Sequence, residues 1–549
     1  MTLPELFSAS RRLGKKGDRT MENGKRDGEE GLRLLKNRGN GFFRLIFSRL
    51  GLFLFLVALQ LFALFSIFRW FAGVLPYILG GTTLYTVVMV LYLLNTRLDP
   101  TAKITWLVIV ILFPVFGAVL YWFTTLEIGH RALKIRIARI NGKTKDRIPQ
   151  DPAVQSRLEE KDPGAASLAL YLRRNACHPV YENNDVTFFP LGEYKWMEML
   201  RQLEQARSFI FLEYFIVDEG LMWGKVLEIL ARKAKEGVDV RVMYDGTCAF
   251  STLPYNYPER LEKLGIRSKM FAPLVPMLST HYNFRDHRKI LVIDGHTAFT
   301  GGVNLADEYI NHIVKHGHWK DTAVMLKGDA VRSFTLMFLQ MWIVDEKLPD
   351  PDFARFLSVP APSAEQSAGF VLPYGDSPLD DDRIGERVYM DILNRARRYV
   401  HIMSPYLILD GEMETALKFA AERGVDVRLI LPGIPDKTAP YSLAKSHYAS
   451  LLDSGVRIYE YTPGFVHAKM FVSDGREGVV GTINLDYRSL YHHFECAVWM
   501  YGTPCLADME NDFRSTLLQC REVTRATVKK EKRTLKLMGA VLKAVAPLM

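Results

Sequence analysis

The feature that most constrains this chain is a pattern stated twice. Residues 287–295 read HRKILVIDG and residues 467–475 read HAKMFVSDG, each a His, a Lys two residues on, and an Asp-Gly pair five residues after the Lys. The repetition extends well beyond the motif. KEGVDVRVMYDG (235–246) is echoed by ERGVDVRLILPG (422–433), QARSFIFLEYF (205–215) by RARRYVHIMSPY (395–406), GGVN (301–304) by GTIN (481–484), and WKDTAV (319–324) by FECAVW (494–499). Matching blocks in the same order along one chain mean a duplicated domain. Within each copy, short β-rich runs alternate with longer helical patterns, as in FIFLEYFIV followed by MWGKVLEILARKAKEG, which is the rhythm of an α/β sheet. The stretch LSVPAPSAEQSAGF (357–370) has the composition of the linker between the halves.

Strand geometry divides the repeated motif into two parts. Alternate side chains share a face, so His287 points with Lys289, and His467 with Lys469, while Asp294 and Asp474 point the other way beside a glycine. These six residues form the candidate catalytic set, with a mainly structural role expected for the two aspartates in the turn that ends each strand. Two copies packed face to face about a pseudo-two-fold axis would pool two imidazoles, two ammonium groups and two Asn side chains, which is an anion site. Lys289 and Lys469 would neutralise phosphate oxygens, and Asn304, Asn484 and the Thr482 hydroxyl would donate hydrogen bonds to developing charge. Two histidines suit a two-step displacement at phosphorus, in which one attacks as the neutral base and the other protonates the leaving alcohol. Each then needs a carboxylate on its far ring nitrogen. Aligning WKDTAV with FECAV offers Asp321 and Glu495, 34 and 28 residues after His287 and His467. The remaining histidines, His492 and His493 among them, show no metal-ligand spacing, so metal-independent chemistry without a cofactor is expected. Glu213 reads as a buried structural carboxylate.

Ahead of the repeats lie three apolar stretches without a charged residue, 51–68, 71–94 and 104–123. Each approaches the roughly 20 residues that cross a bilayer. Basic residues precede the first (Arg44, Arg49) and follow the third (Arg131, Lys134, Arg136, Arg139), which conflicts with an odd number of full spans under the positive-inside rule. Either 51–68 lies in the interface or re-enters, leaving a two-span hairpin over 71–123, or the large domain is external. Residues 1–50 and 521–549 each carry a net +6 of the chain's +9, so the body between them is net −3. Basic ends beside apolar segments suit an anionic lipid surface, and a near-neutral body speaks against nucleic acid as partner. The five cysteines are scattered, with no C-x-x-C, and read as reduced thiols. The C-terminal KKEKRTLKLMGAVLKAVAPLM reads as an amphipathic interfacial helix.

The doubled H-x-K-x-x-x-x-D signature with its downstream Asn resembles the phospholipase D superfamily. More narrowly, NTRLDPTAKITWLVIVILFPVFGAVLYWF, FIFLEYFIV, GGVNLADEYI and HWKDTAVMLKGDAV resemble the bacterial cardiolipin synthases, from about residue 74 to the C-terminus. The resemblance implies two phospholipase D-like α/β sandwich domains forming one pseudo-two-fold site behind N-terminal transmembrane helices, in a multi-pass protein of the bacterial cell membrane. The expected organisation is a basic tail (1–48), a membrane region (49–125), a linker (126–168), the two repeats (169–356 and 371–520) joined by 357–370, and a basic C-terminal segment (521–549). It implies reversible phosphatidyl transfer between two phosphatidylglycerol molecules, giving cardiolipin and glycerol through a phosphatidyl-histidine, with His287 as nucleophile and His467 as acid and then base. Hydrolysis, or transfer from phosphatidylethanolamine or another phospholipid, is the alternative. Gly302, where the second copy has Thr482, departs from the common Gly-Ser/Thr pattern and leaves the first half one hydroxyl short.

Overall fold

Each repeat builds its sheet around a strand that is apolar on both faces. In the computed structural model, which describes residues 31–35, 58–59, 62, 65–66, 69 and 82–546 apart from 97, 126–127, 274–283, 345–352, 361–366 and 381, the first half contributes nine strands. They are β1 (Asp185–Phe189), β2 (Phe209–Tyr214), β3 (Asp239–Asp245), β4 (Arg267–Phe271), β5 (Arg285–Asp286), β6 (Lys289–Ile293), β7 (Thr297–Gly301), β8 (His318–Lys320) and β9 (Ala323–Lys327). The second half contributes β10 (Phe370–Asp376), β11 (Tyr399–Met403), β12 (Asp426–Pro432), β13 (Arg457–Tyr461), β14 (Gly464–Val466), β15 (Met470–Ser473), β16 (Glu477–Gly481), β17 (His493–Tyr501) and β18 (Cys520–Val523). The first sheet runs β1-β9-β7-β6-β2-β3-β4 and the second β10-β17-β16-β15-β11-β12-β13, with β18 added at its edge. The identical order is the duplication in three dimensions.

The two sheets meet across one shared core. Phe211, Ile290, Val292 and Val324 from the first half are buried in the same cluster as Ala468, Met470, Val480 and Val498 from the second. Helix Val331–Trp342 also enters this layer, with Phe334 and Phe338 fully buried. Separate apolar clusters fill the space between each sheet and its outer helices. A continuous core of this kind fixes the halves against each other, because close-packed interiors tolerate little sliding.

The motif aspartates act in the turns and not at the imidazoles. Asp294 and Asp474 adopt left-handed φ of 50° and 55°, each followed by a glycine that is also left-handed. The Asp294 carboxylate accepts the backbone N–H groups of Arg207, Ser208 and Phe209 at 2.7–2.9 Å, pinning the start of β2. Asp474 does the same for Arg397, Arg398 and Tyr399 ahead of β11, at 2.8–2.9 Å. Three donors occupy each carboxylate, so grouping these two residues with the catalytic ones is corrected here.

The 104–123 stretch is not one helix. Helix Pro100–Leu112 stops at Phe113, and helix Pro114–Thr125 begins on a residue that has no N–H to donate. The two arms turn back on each other: a Cβ on Gly117 would stand 2.8 Å from the Ile109 carbonyl oxygen. With helix Thr82–Leu94 they share a small core of Met89, Leu93, Trp106, Val110, Ala118 and Tyr121. Among the described residues no helix is long and apolar enough to cross a membrane. The 1–48 tail lies outside the described residues except for 31–35, and so do most of 51–68 and the first part of 71–94.

The C-terminal helix Arg533–Val545 docks on protein. It lies along helix Thr438–Asp453 so closely that a Cβ on Gly539 would come within 2.5 Å of the Ser442 carbonyl oxygen. The Thr105 hydroxyl, from the hairpin, donates to the Ala544 carbonyl at 2.7 Å. Leu537 and Val541, one turn apart, remain exposed.

Removing the turn carboxylate tests its role directly. Asp294→Ala strips three charge-assisted bonds from the start of β2 and should lower stability by roughly 2–3 kcal/mol. Thermal unfolding by circular dichroism will read this as a drop of several degrees; an unchanged midpoint would mean the turn holds without its carboxylate.

Candidate active site

Both motif histidines are placed by strands that cross between the halves. β5, just before His287, pairs in parallel with the first residues of β17, Arg285 opposite His493 and Asp286 opposite Phe494. The His287 N–H then donates to the Phe494 carbonyl at 2.9 Å. In the other direction β14 pairs in parallel with β8, Val466 opposite Lys320, and the His467 N–H donates to the Lys320 carbonyl at 2.7 Å. Phe494 and Lys320 each immediately precede a candidate carboxylate. Each imidazole is thereby delivered to the acid of the opposite repeat.

The side chains follow. His287 Nδ1 lies 2.9 and 3.0 Å from the two Glu495 oxygens, and His467 Nδ1 lies 2.7 Å from Asp321 Oδ2. All four residues are buried, both carboxylates completely. A carboxylate on Nδ1 leaves Nε2 of each ring as the nitrogen not engaged by an acid. Lys289 and Lys469, also buried, each donate to the backbone carbonyl of their own motif histidine, and Lys469 Nζ stands 2.9 and 3.0 Å from the two ring nitrogens of His467. Burial pulls the ammonium of Lys289 down to about 8, against the attraction of Glu495, and that of Lys469 down to about 7, with Asp321 opposing and Lys289 reinforcing the shift.

The two pairs differ electrostatically. Burial raises the Glu495 carboxyl, but His287 and His493 overcome it and hold the group well below the usual carboxylate range. Burial pushes Asp321 up to about 7 against the pull of Lys469. Both imidazoles are driven well below their ordinary value, by burial first; Glu495 opposes this at His287, whereas Lys469 and Lys289 add to it at His467. The acid beside His287 is therefore shifted toward its ionised form, and the acid beside His467 toward its protonated form.

Residue 302/482 explains how the difference is built. The Thr482 hydroxyl, expected to reach phosphate, instead donates to Glu495 and accepts the Cys496 N–H at 3.0 Å. At the matching position in the first half, a Cβ on Gly302 would stand 2.0 Å from Asp321 Oδ1, so the shorter acid fills the space a side chain would need. Asn304 is likewise committed: its Oδ1 accepts the Ile216 N–H at 3.0 Å and its amide donates to the Tyr309 hydroxyl at 2.7 Å. Thr482 and Asn304 are thus supports of the site. Asn484 is buried with an Oδ1 that has no hydrogen-bond partner among the described residues. Glu213, the next-to-last residue of β2, is buried and pairs with Arg288 at 2.7 Å.

One residue passed over in the sequence belongs to this cluster. His493 shares a face of β17 with Glu495, its ring centroid is 5.2 Å from that of His287, and its Nδ1 lies 3.6 Å from Glu495. Its counterpart, two residues ahead of Asp321, is Trp319, whose ring lies 5.4 Å from His467. The signal was present in the alignment of Asp321 with Glu495, which sets Trp319 opposite His493. Among the described residues, His287, His493 and Glu495 form one of two groups able to bring three metal-ligand atoms together; the other is Glu386, Asp410 and Glu412.

Two substitutions separate the pairs. Glu495→Gln should lower kcat by roughly 10²–10⁴-fold with KM little changed, as for a lost histidine-orienting acid. Gly302→Ala should resemble Asp321→Asn, since the new Cβ displaces the carboxylate from His467. Steady-state kinetics of the three variants will decide, and a fully active Gly302→Ala would show that Asp321 can move without consequence.

Comparison with known proteins places this geometry. Residues 199–342 and 389–517 match the family model described as the cardiolipin synthase, phospholipase D-like domain, and 83–124 match the phospholipase D-nuclease N-terminal model. A Streptococcus mutans protein described as uncharacterized is 56% identical over 460 residues, covering 84% of this chain and 99% of its own. The cardiolipin synthase of Geobacillus kaustophilus is 34% identical over 449 residues, covering 79% and 86%, and that of Halalkalibacterium halodurans 32% identical over 477 residues, covering 85% and 92%. Phosphatidylserine synthase from Haemophilus influenzae shares the fold, with a TM-score of 0.51 at 16% identity over 66% of this chain and 93% of that one.

Proposed function

The chain belongs to the phospholipase D-like cardiolipin synthase family, and from that premise we propose that it joins two phosphatidylglycerol molecules into cardiolipin and glycerol through a phosphatidyl-histidine. The observation that carries the reading is the pair of crossed histidine–carboxylate contacts, His287 with Glu495 and His467 with Asp321. Neutral His287, with its Nδ1–H held by Glu495, attacks phosphorus through Nε2. The phosphorus–oxygen bond to the glycerol headgroup breaks as the His467–Asp321 pair gives its proton to the departing oxygen. The pair then takes a proton from a hydroxyl of the second phosphatidylglycerol, which attacks phosphorus and releases His287. Because His467 and Asp321 are in contact, they titrate as a unit. Lys289 and Lys469 neutralise the phosphate oxygens, and Asn484 faces the same charge.

The break at Pro114 supports a membrane arrangement with an even number of crossings. If 51–68 and 71–94 cross the bilayer and 100–125 enters and returns, the number of crossings is even. The basic residues before 51 and after 125 then share one side, as the positive-inside rule requires. This reading makes the chain a multi-pass protein of the bacterial cell membrane. Single cysteines replacing Arg49 and Arg131 should be labelled from the same face of sealed vesicles; labelling from opposite faces would require an odd number of spans.

The activity is tested with purified full-length protein in mixed micelles of dioleoyl-phosphatidylglycerol. Mass spectrometry should find cardiolipin and glycerol in equal amounts, and neither after His287→Ala. Phosphatidic acid as the dominant product would make the enzyme a hydrolase, and products that appear only when phosphatidylethanolamine is added would change the donor or acceptor.

A further inference from the structure

A cavity of ≈ 480 Å³ opens beside the second half of the site, and the proposed reaction gives it no role so far. Its walls include Ile408, Pro440, Tyr487 and Ala546, the last at the end of the C-terminal helix, with Lys437 and Arg488 at its edge. Its volume is in the range of small-ligand sites. Ile408, Tyr487 and Ala546 also belong to one apolar cluster with Leu443 and Leu542, so the docked helix closes this side of the space.

Two lines of contact tie the cavity to the chemistry and to the bilayer. On the inner side, Tyr406 lines it; the Tyr406 ring lies 6.4 Å from Phe465, and Phe465 lies 5.9 Å from His467. Lys437 is near enough for its charge to bear on the His467 imidazole. On the outer side, Thr105 of the hairpin bonds to Ala544, and the exposed residues Ile104, Val108, Ile111, Leu537 and Val541 continue the apolar surface. The acidic groups nearby are engaged. Asp486 accepts the Ser489 N–H at 2.8 Å, and Asp436 accepts from the Tyr406 hydroxyl at 2.8 Å and lies 3.6 Å from Lys437. The Lys437 side chain is 70% exposed and Arg488 is exposed, so both cations stand on the solvent side of the cavity.

We propose that this cavity seats the acceptor phospholipid, its phosphate held by Lys437 and Arg488 and the start of an acyl chain laid along Ile408, Pro440, Tyr487 and Ala546. This rests on the transfer reaction proposed above and deepens it. An apolar wall with paired cations at its edge matches a phosphodiester joined to hydrocarbon. The path from its Tyr406 wall through Phe465 to His467 matches the partner that must lose a proton to that residue. The C-terminal helix then acts as a wall of the acceptor site.

The partition of the covalent intermediate provides the test, since water and the acceptor lipid compete for it. Full-length Lys437→Ala, Arg488→Ala and the cavity-filling Ala439→Trp are assayed in dioleoyl-phosphatidylglycerol micelles, with glycerol, cardiolipin and phosphatidic acid all measured. Glycerol release should persist in Arg488→Ala and Ala439→Trp and be reduced but not lost in Lys437→Ala, whose charge also acts on His467, while the ratio of cardiolipin to phosphatidic acid falls at least fivefold in all three. A loss of folding would not change that ratio selectively. Should Ala439→Trp fail to fold, the two exposed cation variants carry the test. An unchanged ratio in folded variants overturns the inference, and so does an equal fall in glycerol release, which would assign the cavity to the donor lipid. Absence of cardiolipin from the unsubstituted enzyme would instead refute the reaction itself.

Discussion

Two short parallel strand pairings, β5 with β17 and β14 with β8, hold the whole site together. Each involves two or three residues, yet each sets a backbone bond from a catalytic histidine to the residue just before an acid of the other repeat. The large shared core keeps the halves in register, and the small pairings convert that register into chemistry. Side-chain geometry at an active site has to be right within about half an ångström. Backbone bonds to neighbouring positions on one strand meet that demand better than long side chains reaching across an open interface.

A near-symmetric frame has been made asymmetric with little change in sequence. One half uses glutamate with a threonine hydroxyl behind it, and the other uses aspartate packed against a glycine that cannot be enlarged. Burial raises both acids, and the balance is decided by their neighbours: His287 first and then His493 lower Glu495, whereas Lys469 only partly offsets burial at Asp321. Two imidazoles in matching positions thereby come to face acids shifted in opposite directions. Two-step displacement requires that difference.

The sequence exposed the parts of this design that are periodic or repeated. The duplicated sheets, the His/Lys pairs and the candidate acids Asp321 and Glu495 were all legible from aligned blocks. The exchange of acids between halves was not, because it depends on how two sheets dock and leaves no local pattern. The partners that Thr482 and Asn304 take were hidden for a related reason: residue type identifies a donor without naming its acceptor. Pro114 did announce the break within 104–123, but unbroken hydrophobicity outweighed it. The apolar face of the C-terminal helix was equally visible, and hydrophobicity alone does not distinguish a protein neighbour from a lipid one.

The crossed pairing bears on how such a chain can come into being. A single repeat holds a histidine without its acid and an acid without its histidine. Alone it would have to meet an identical copy about a two-fold axis, through an isologous interface on which both half-sites are the same. In that state any change to one acid would be a change to both. Joining the copies through residues 357–370 releases them from that identity, so the tether between the halves is what lets the two histidines face different acids.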